Sequence, residues 1–133
     1  MTCLLIDDDK DDQEIFLLAL EQIDSSFKCV TANNSGEGLE MLSPDKAFIP
    51  DFIFLDLNMP RISGKQCLAR IKEMEHLHKV PVIIYSTSDD ERDIRETRAL
   101  GAAEFITKPY SISALSQILS KIVNPLKYNH EQK

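Results

Sequence analysis

The chain has 133 residues, 43% of them hydrophobic and 28% charged, which suits one domain with its own core and leaves no room for a second. Its 15 basic and 22 acidic side chains sum to −7, and with no basic run the balance argues against a phosphate-binding partner such as nucleic acid. No run of 18 apolar residues and no basic-then-apolar leader is present, so neither a membrane span nor a signal peptide is expected.

In chain order, residues 3–6 read as a buried strand that stops abruptly at acid. Asp7, Asp8, Asp9, Asp11 and Asp12 follow within six positions, relieved by Lys10 alone. Residues 11–23 carry Ile15, Ala19 and Ile23 on one face, beside Phe16 and Leu20, as a core-facing helix does. Residues 28–32 form a shorter, more polar strand suited to a sheet edge. A turn over residues 33–36 leads into a short helix ending near Leu42, and residues 43–50 form a loop. Residues 52–55 are apolar without alternation, the mark of a strand covered on both faces, and Asp56 ends it.

A helix over residues 64–75 aligns Cys67, Leu68, Ile71 and Met74, leaving His76 and His78 in a polar, solvent-facing loop. Pro81 opens a fourth strand, residues 82–85, where a missing N–H is tolerated. Ser88 and Glu91 have capping-box spacing, so the next helix is predicted to start near Asp89 and end before Gly101, with the thinnest apolar stripe of the set. Residues 103–107 give a fifth strand, and Ser111 caps a helix built on Ile112, Leu115, Leu119 and Ile122. The cysteines, Cys3, Cys29 and Cys67, are odd in number and widely spaced, a pattern of packed, reduced thiols in a cytoplasmic protein.

Strict alternation of five strands with five helices implies an α/β fold with a doubly wound parallel sheet, of flavodoxin-like order 2-1-3-4-5. In such sheets the ligand sits beyond the carboxyl ends of the strands. Asp7, Asp8 and Asp9 lie there after the first strand, Asp56 and Asn58 after the third, Ser86 and Thr87 after the fourth, and Lys108 with Pro109 after the fifth. Hard oxygens gathered this way suit Mg²⁺, and an adjacent ammonium and hydroxyl suit a phosphoryl group. The set reads as a carboxylate that accepts a phosphoryl group. Competing motifs fail on position. An EF-hand starting at Asp7 would need glycine at Asp12 and glutamate at Leu18; a P-loop ending at Gly64 and Lys65 would need glycine at Met59.

Four segments in this order, LLIDDD, FIFLDLNMPRISG, VIIYSTSD and GAAEFITKP, resemble the receiver domain of two-component response regulators from about Thr2 to Val123. The resemblance implies roles residue by residue. Asp56 is the phosphoacceptor. Asp8 binds Mg²⁺ directly, Asp7 supports it through water, and Asn58 lends its backbone carbonyl. Ser86 is the switch hydroxyl, Thr87 offers a backbone N–H, Lys108 is the family's lysine, and Phe105 takes the switch-aromatic position. It also implies a cis bond between Lys108 and Pro109, and assigns no direct role to Asp9 or Lys10.

The expected protein is a stand-alone response regulator of the CheY-like type, a domain over residues 1–124 with a short tail over 125–133. It would be a switch rather than a turnover enzyme, catalysing only its own phosphorylation and dephosphorylation. A sensor histidine kinase or histidine phosphotransfer protein would be the donor, docking on the first helix and the loop after the fifth strand. A downstream protein would read the face formed by the fourth helix, fifth strand and fifth helix; a monomer and a phosphorylation-dependent dimer are both compatible. Two rivals stand beside this reading. One is a constitutive binding module that is never phosphorylated. The other is a Mg²⁺-dependent phosphohydrolase using Asp7 and Asp9, with Asp7 as nucleophile.

Overall fold

A computed structural model describes residues 1–123, and in it successive residues of the inner strands point to opposite faces of one sheet, both of them apolar. The elements are β1 (Thr2–Ile6), α1 (Lys10–Ile23), β2 (Lys28–Ala32), α2 (Ser35–Met41), β3 (Phe52–Leu55), α3 (Gly64–Lys72), β4 (Val82–Ser86), α4 (Glu91–Ala99), β5 (Glu104–Thr107) and α5 (Ile112–Val123). The five strands are parallel in the order β2-β1-β3-β4-β5, the flavodoxin-like order expected from the alternation. Residue 124 and the tail over 125–133 lie outside the described residues.

Leu4, Ile6, Ile53, Leu55, Val82 and Ile84 face one layer, where Leu42, Cys67, Leu68 and Ile71 close over them. Cys3, Leu5, Phe54, Ile83, Tyr85 and Ile106 face the other, under Phe16, Ala19 and Leu20 of α1 and Leu115 and Leu119 of α5. Burying both faces explains why the inner strands carry runs of apolar residues instead of alternation. Phe16 packs edge-on against Phe54, with ring centroids 4.8 Å apart, and tilts against Tyr85 at 5.4 Å. Helix α4 buries Thr97 alone, as its thin stripe foretells.

Some boundaries differ from the sequence reading, each for a local reason. Helix α3 ends at Lys72 rather than at Glu75, because Met74 turns extended (φ −85°, ψ 107°) and a separate 3₁₀ turn, Glu75–Leu77, drops Leu77 into the core. That turn half-buries His76, whose Nε2 lies 2.8 Å from the Leu42 carbonyl oxygen, so of the two histidines expected in solvent His78 alone is exposed. Ser88 does not cap α4. Its hydroxyl donates to Asp93 and accepts from the Asp90 N–H, and Asp90 caps instead, accepting from the Arg92 N–H at 2.8 Å. Ser111 does cap α5, accepting from the Ala114 N–H at 3.0 Å. Ser86 is the last residue of β4, paired in register with Thr107, rather than the first residue beyond it.

Candidate functional site

Three backbone hydrogen bonds carry the sheet one residue past its strands. The Asp7 N–H donates to the Ala32 carbonyl and the Asp56 N–H to the Ile6 carbonyl, both at 3.0 Å. The Lys108 N–H donates to the Ser86 carbonyl at 2.7 Å. The residues just beyond β1, β3 and β5 are thereby held as firmly as strand residues, and their side chains converge on one rim. The segment after Asp56 is pressed down from above: a Cβ at Gly64 would collide with the Asp56 carbonyl oxygen and the Leu57 Cα. The glycine that opens α3 therefore permits a close backbone crossing over the residue carrying Asp56.

The rim is buried and acidic. Asp7 is 0% and Asp56 5% exposed, and Ser86 is buried too, whereas Asp8, Asn58 and Thr87 are exposed. One carboxylate oxygen each from Asp7, Asp8 and Asp56 lies within 4.8 Å of the others. Lys108 Nζ donates to Asp7 Oδ2 at 2.8 Å and to Asp12 Oδ2 at 2.7 Å, and stands 3.8 Å from Asp56 Oδ2. It also sits 5.1 Å from the centre of the Tyr85 ring, in cation–π range. The peptide bond between Lys108 and Pro109 is trans, correcting the cis form implied by the resemblance. Trans is the ordinarily preferred isomer of such a bond, and Lys108 reaches the carboxylates with it.

Burial raises the Asp56 carboxyl to about 6; Asp7 and Asp8 push the same way, while Lys108 and the Asn58 N–H oppose them. That N–H donates weakly to Asp56 Oδ1, at 3.4 Å. Asp7 is raised as well, mainly by burial, against its hydrogen bond from Lys108. For Lys108 burial alone would lower the value, but the hydrogen bonds to Asp12 and Asp7 outweigh it and the ammonium is firmly held. Among the described residues the site thus sets four nearby carboxylates, those of Asp7, Asp8, Asp12 and Asp56, against one ammonium. Such an excess of hard oxygen ligands, partly open to solvent at Asp8, fits a small divalent cation.

Asp7, Asp8, Asp56 and Lys108 come together as the sequence reading placed them, with the backbone of Asn58 at the edge. Ser86 accepts from the Ser88 N–H at 3.3 Å, Thr87 lies beside it in the loop, and Phe105 is half-buried against the Leu4 and Ile6 side of the sheet. Two contributors were not singled out, and a third, Asp9, was given no direct role. Asp12 anchors Lys108. Gln13, buried, donates to the Asp7 carbonyl at 2.6 Å and to Asn33 Oδ1 at 3.0 Å. Asp9 caps α1, accepting from the N–H groups of Asp11 and Asp12. The signal for Asp9 and Asp12 was present as a capping acid and a first-turn acid five residues past Asp7.

A family model described as the response regulator receiver domain matches residues 3–120. The chain is 30% identical over 118 residues to the probable C4-dicarboxylate response regulator DctR of Bacillus subtilis (strain 168), covering 89% of this chain and 50% of that protein. It is 28% identical over 120 residues to the two-component response regulator ORR3 of Oryza sativa subsp. indica, covering 90% of this chain and 88% of that one. The crystal structure of the phosphorylated cyanobacterial phytochrome response regulator RcpA aligns with a TM-score of 0.80 and 33% identity, over 91% of this chain and 89% of that chain. The chain spans half or less of the length of other curated relatives, DctR and the phosphate regulon regulator PhoB of Pseudomonas aeruginosa among them. No helix among the described residues is long and apolar enough to cross a membrane. Receiver domains take phosphoryl groups from histidine kinases, bind Mg²⁺ at acidic residues and signal to downstream partners. Agreement of sequence along nearly the whole chain, of strand order and of a carboxylate rim at the strand ends leaves one conclusion: the chain belongs to the response regulator receiver domain family.

Proposed function

We propose that this chain is a phosphorylation switch in which Asp56 accepts a phosphoryl group from a sensor histidine kinase or a histidine phosphotransfer protein. The observation that carries this reading is the setting of Asp56: buried at the end of β3, within 4.8 Å of Asp7 and Asp8 oxygens and 3.8 Å from Lys108 Nζ. Raised to about 6, Asp56 is still largely ionised at neutral pH and so is nucleophilic. Its carboxylate oxygen forms a bond to phosphorus while the donor's P–N bond breaks, and the departing imidazole keeps the electron pair. In-line attack by water later releases inorganic phosphate and restores the carboxylate.

Asp7, Asp8, Asp56 and the Asn58 carbonyl would hold Mg²⁺, which supplies positive charge against the phosphoryl oxygens. Lys108, tethered by Asp7 and Asp12, keeps a second positive charge beside Asp56. Ser86 offers its hydroxyl and Thr87 its backbone N–H to the phosphoryl oxygens. Leu17 and Leu18 on α1 and the fully exposed Tyr110 after β5 suit donor docking at that end. The α4, β5 and α5 face, with Phe105 half-buried beside the thinly packed α4, is the surface proposed for output to a protein partner.

The phosphohydrolase alternative is disfavoured by Asp7 itself. Its side chain is fully buried, bonded to Lys108 and accepting from the Asp9 N–H at 2.9 Å, so it is poorly placed to attack a substrate. The test is intact mass after incubation with acetyl phosphate, with and without Mg²⁺, on the parent chain and Asp56→Asn. Gain of one phosphoryl group that needs both Mg²⁺ and Asp56 is expected. Silence with acetyl phosphate and with a panel of kinases and phosphotransfer domains would favour a constitutive binding module. Labelling that survives in Asp56→Asn and vanishes in Asp7→Asn would revive the phosphohydrolase.

A further inference from the structure

Cys3 on β1 and Cys29 on β2 are direct partners in the parallel register. Neighbouring strands run about 4.8 Å apart, inside the Cα separation of roughly 4.4–6.8 Å that a disulfide spans. Register partners in a parallel pair point to the same face, and both thiols pack against the cluster under α1 and α5. Cys67 packs on the opposite face, so the sheet separates it from the pair. Both partners are free cysteines, Cys3 buried and Cys29 half-buried. Among the described residues β2 is an edge strand, bonded to β1 alone, so it can tilt slightly inward and Cys29 can be reached from the open side.

We propose that Cys3 and Cys29 form a cross-strand dithiol which a peroxide closes to an intrachain disulfide joining β1 to β2. The Cys29 sulfur, the more accessible, attacks a peroxide oxygen. A sulfur–oxygen bond forms as the O–O bond breaks, the thiol proton is lost, and the departing hydroxide leaves as water. The Cys3 sulfur then attacks the Cys29 sulfur: the S–S bond forms, the S–O bond breaks, and a second water departs. The balance is two thiols and one peroxide to one disulfide and two waters, with two electrons passing from sulfur to oxygen.

Burial pushes the Cys3 thiol to about 11, with Asp51 adding to the rise, and pushes the Cys29 thiol to about 12, with Cys3 adding to it. Little thiolate is present at neutral pH, so closure is slow and answers sustained rather than brief exposure to oxidant. The rim stays accessible throughout, since the pair lies near the amino ends of β1 and β2, away from Asp7 and Asp56.

The experiment is hydrogen peroxide treatment of the whole chain, alkylation of the remaining thiols, intact mass, and peptide mapping without reductant. The expected result is loss of two hydrogens, a peptide linking Cys3 to Cys29, and alkylation of Cys67 alone. Cys67→Ala should form the same link with no thiol left to alkylate, and Cys3→Ala and Cys29→Ala should form no intrachain link. The wild-type peptide map reads the linkage even where a variant fails to fold. The proposal is overturned if both thiols remain alkylatable, if Cys29 ends with bound oxygen beside a free Cys3, or if Cys29 links two chains.

Discussion

Lys108 and Lys65 each bridge a pair of carboxylates at hydrogen-bond distance, and they differ in burial. Lys108 joins Asp7 and Asp12 beneath the rim with its side chain 8% exposed; Lys65, at the start of α3, joins Asp93 and Glu96 of α4 with 31% exposed. Distances are alike, 2.8 and 2.7 Å for Lys108 against 2.7 and 2.5 Å for Lys65. At Lys65 the hydrogen bond to Asp93 leads in raising the ammonium and burial opposes it weakly. At Lys108 burial is the largest influence, opposes the charge, and is overcome. Similar pairs of short bonds thus have different consequences. A charge in water can lose its partner cheaply, whereas a buried carboxylate that loses its cation is left uncompensated.

The largest expected effect follows from that difference. Lys108→Ala should lower stability in urea unfolding by about 3 kcal/mol at pH 7.5 without metal, since among the described residues the fully buried Asp7 and nearly buried Asp56 keep no other cation. The deficit should shrink toward pH 5 as Asp56, raised to about 6, takes up a proton. An unchanged midpoint would show that the rim carboxylates do not depend on Lys108.

Asp56→Asn should act in the opposite direction and somewhat more weakly. The folded-state value, about 6, lies above the ordinary 3.8, so the folded chain binds the extra proton between these pH values. The stabilisation this gives is complete below the ordinary value and is lost as pH rises through 6. At pH 7.5 the buried Asp56 charge therefore costs stability, and removing it should gain about 1–3 kcal/mol in metal-free unfolding. The gain should vanish near pH 4. Mg²⁺ at ten times its dissociation constant should next raise the stability of the parent chain by about 1.4 kcal/mol. The increment should fall in Asp8→Asn, whose exposed carboxylate has the least other employment, and equal increments in both proteins would remove Asp8 from the metal site.

The fold was legible because every level of the sequence agrees. Residues 52–55 and 82–85 carry continuous apolar runs because both sheet faces are covered, and the acid or hydroxyl that stops each run becomes the rim. What escaped notice depended on side chains reaching across elements. Asp12 stands in an acid-rich first turn where most carboxylates meet solvent, and its bond to Lys108 exists only once the residue after β5 reaches the start of α1. Gln13 reads as a polar interruption of a helix, yet folding buries it between the Asp7 carbonyl and Asn33. At the start of α4 the capping pattern beginning at Ser88 is real in spacing but loses to Asp90, because Thr107 and Asp93 draw Ser88 away: the Thr107 hydroxyl donates to the Ser88 carbonyl, and the Ser88 hydroxyl donates to Asp93. Local motifs name the residue types at a boundary; tertiary partners decide which of them performs the task.

The smallest expected effect is at Lys65, and it sharpens the comparison most. Lys65→Ala removes a lysine with the same number of carboxylate partners as the strongest bonds of Lys108, but on a surface where water replaces them. Its bond to Asp93 should be worth less than about 1 kcal/mol at low salt and fade as salt rises to 1 M, where the screening length falls to about 3 Å. The Lys108 effect, shielded from solvent, should persist at both ionic strengths. Asp93 also retains the Ser88 hydroxyl at 2.6 Å, so α4 keeps one tie to the loop after β4 when Lys65 is gone. Urea titrations of Lys65→Ala and Lys108→Ala at the two salt concentrations decide the matter. Equal losses with equal salt dependence would mean that partner count, not burial, sets the value of a lysine bridge here.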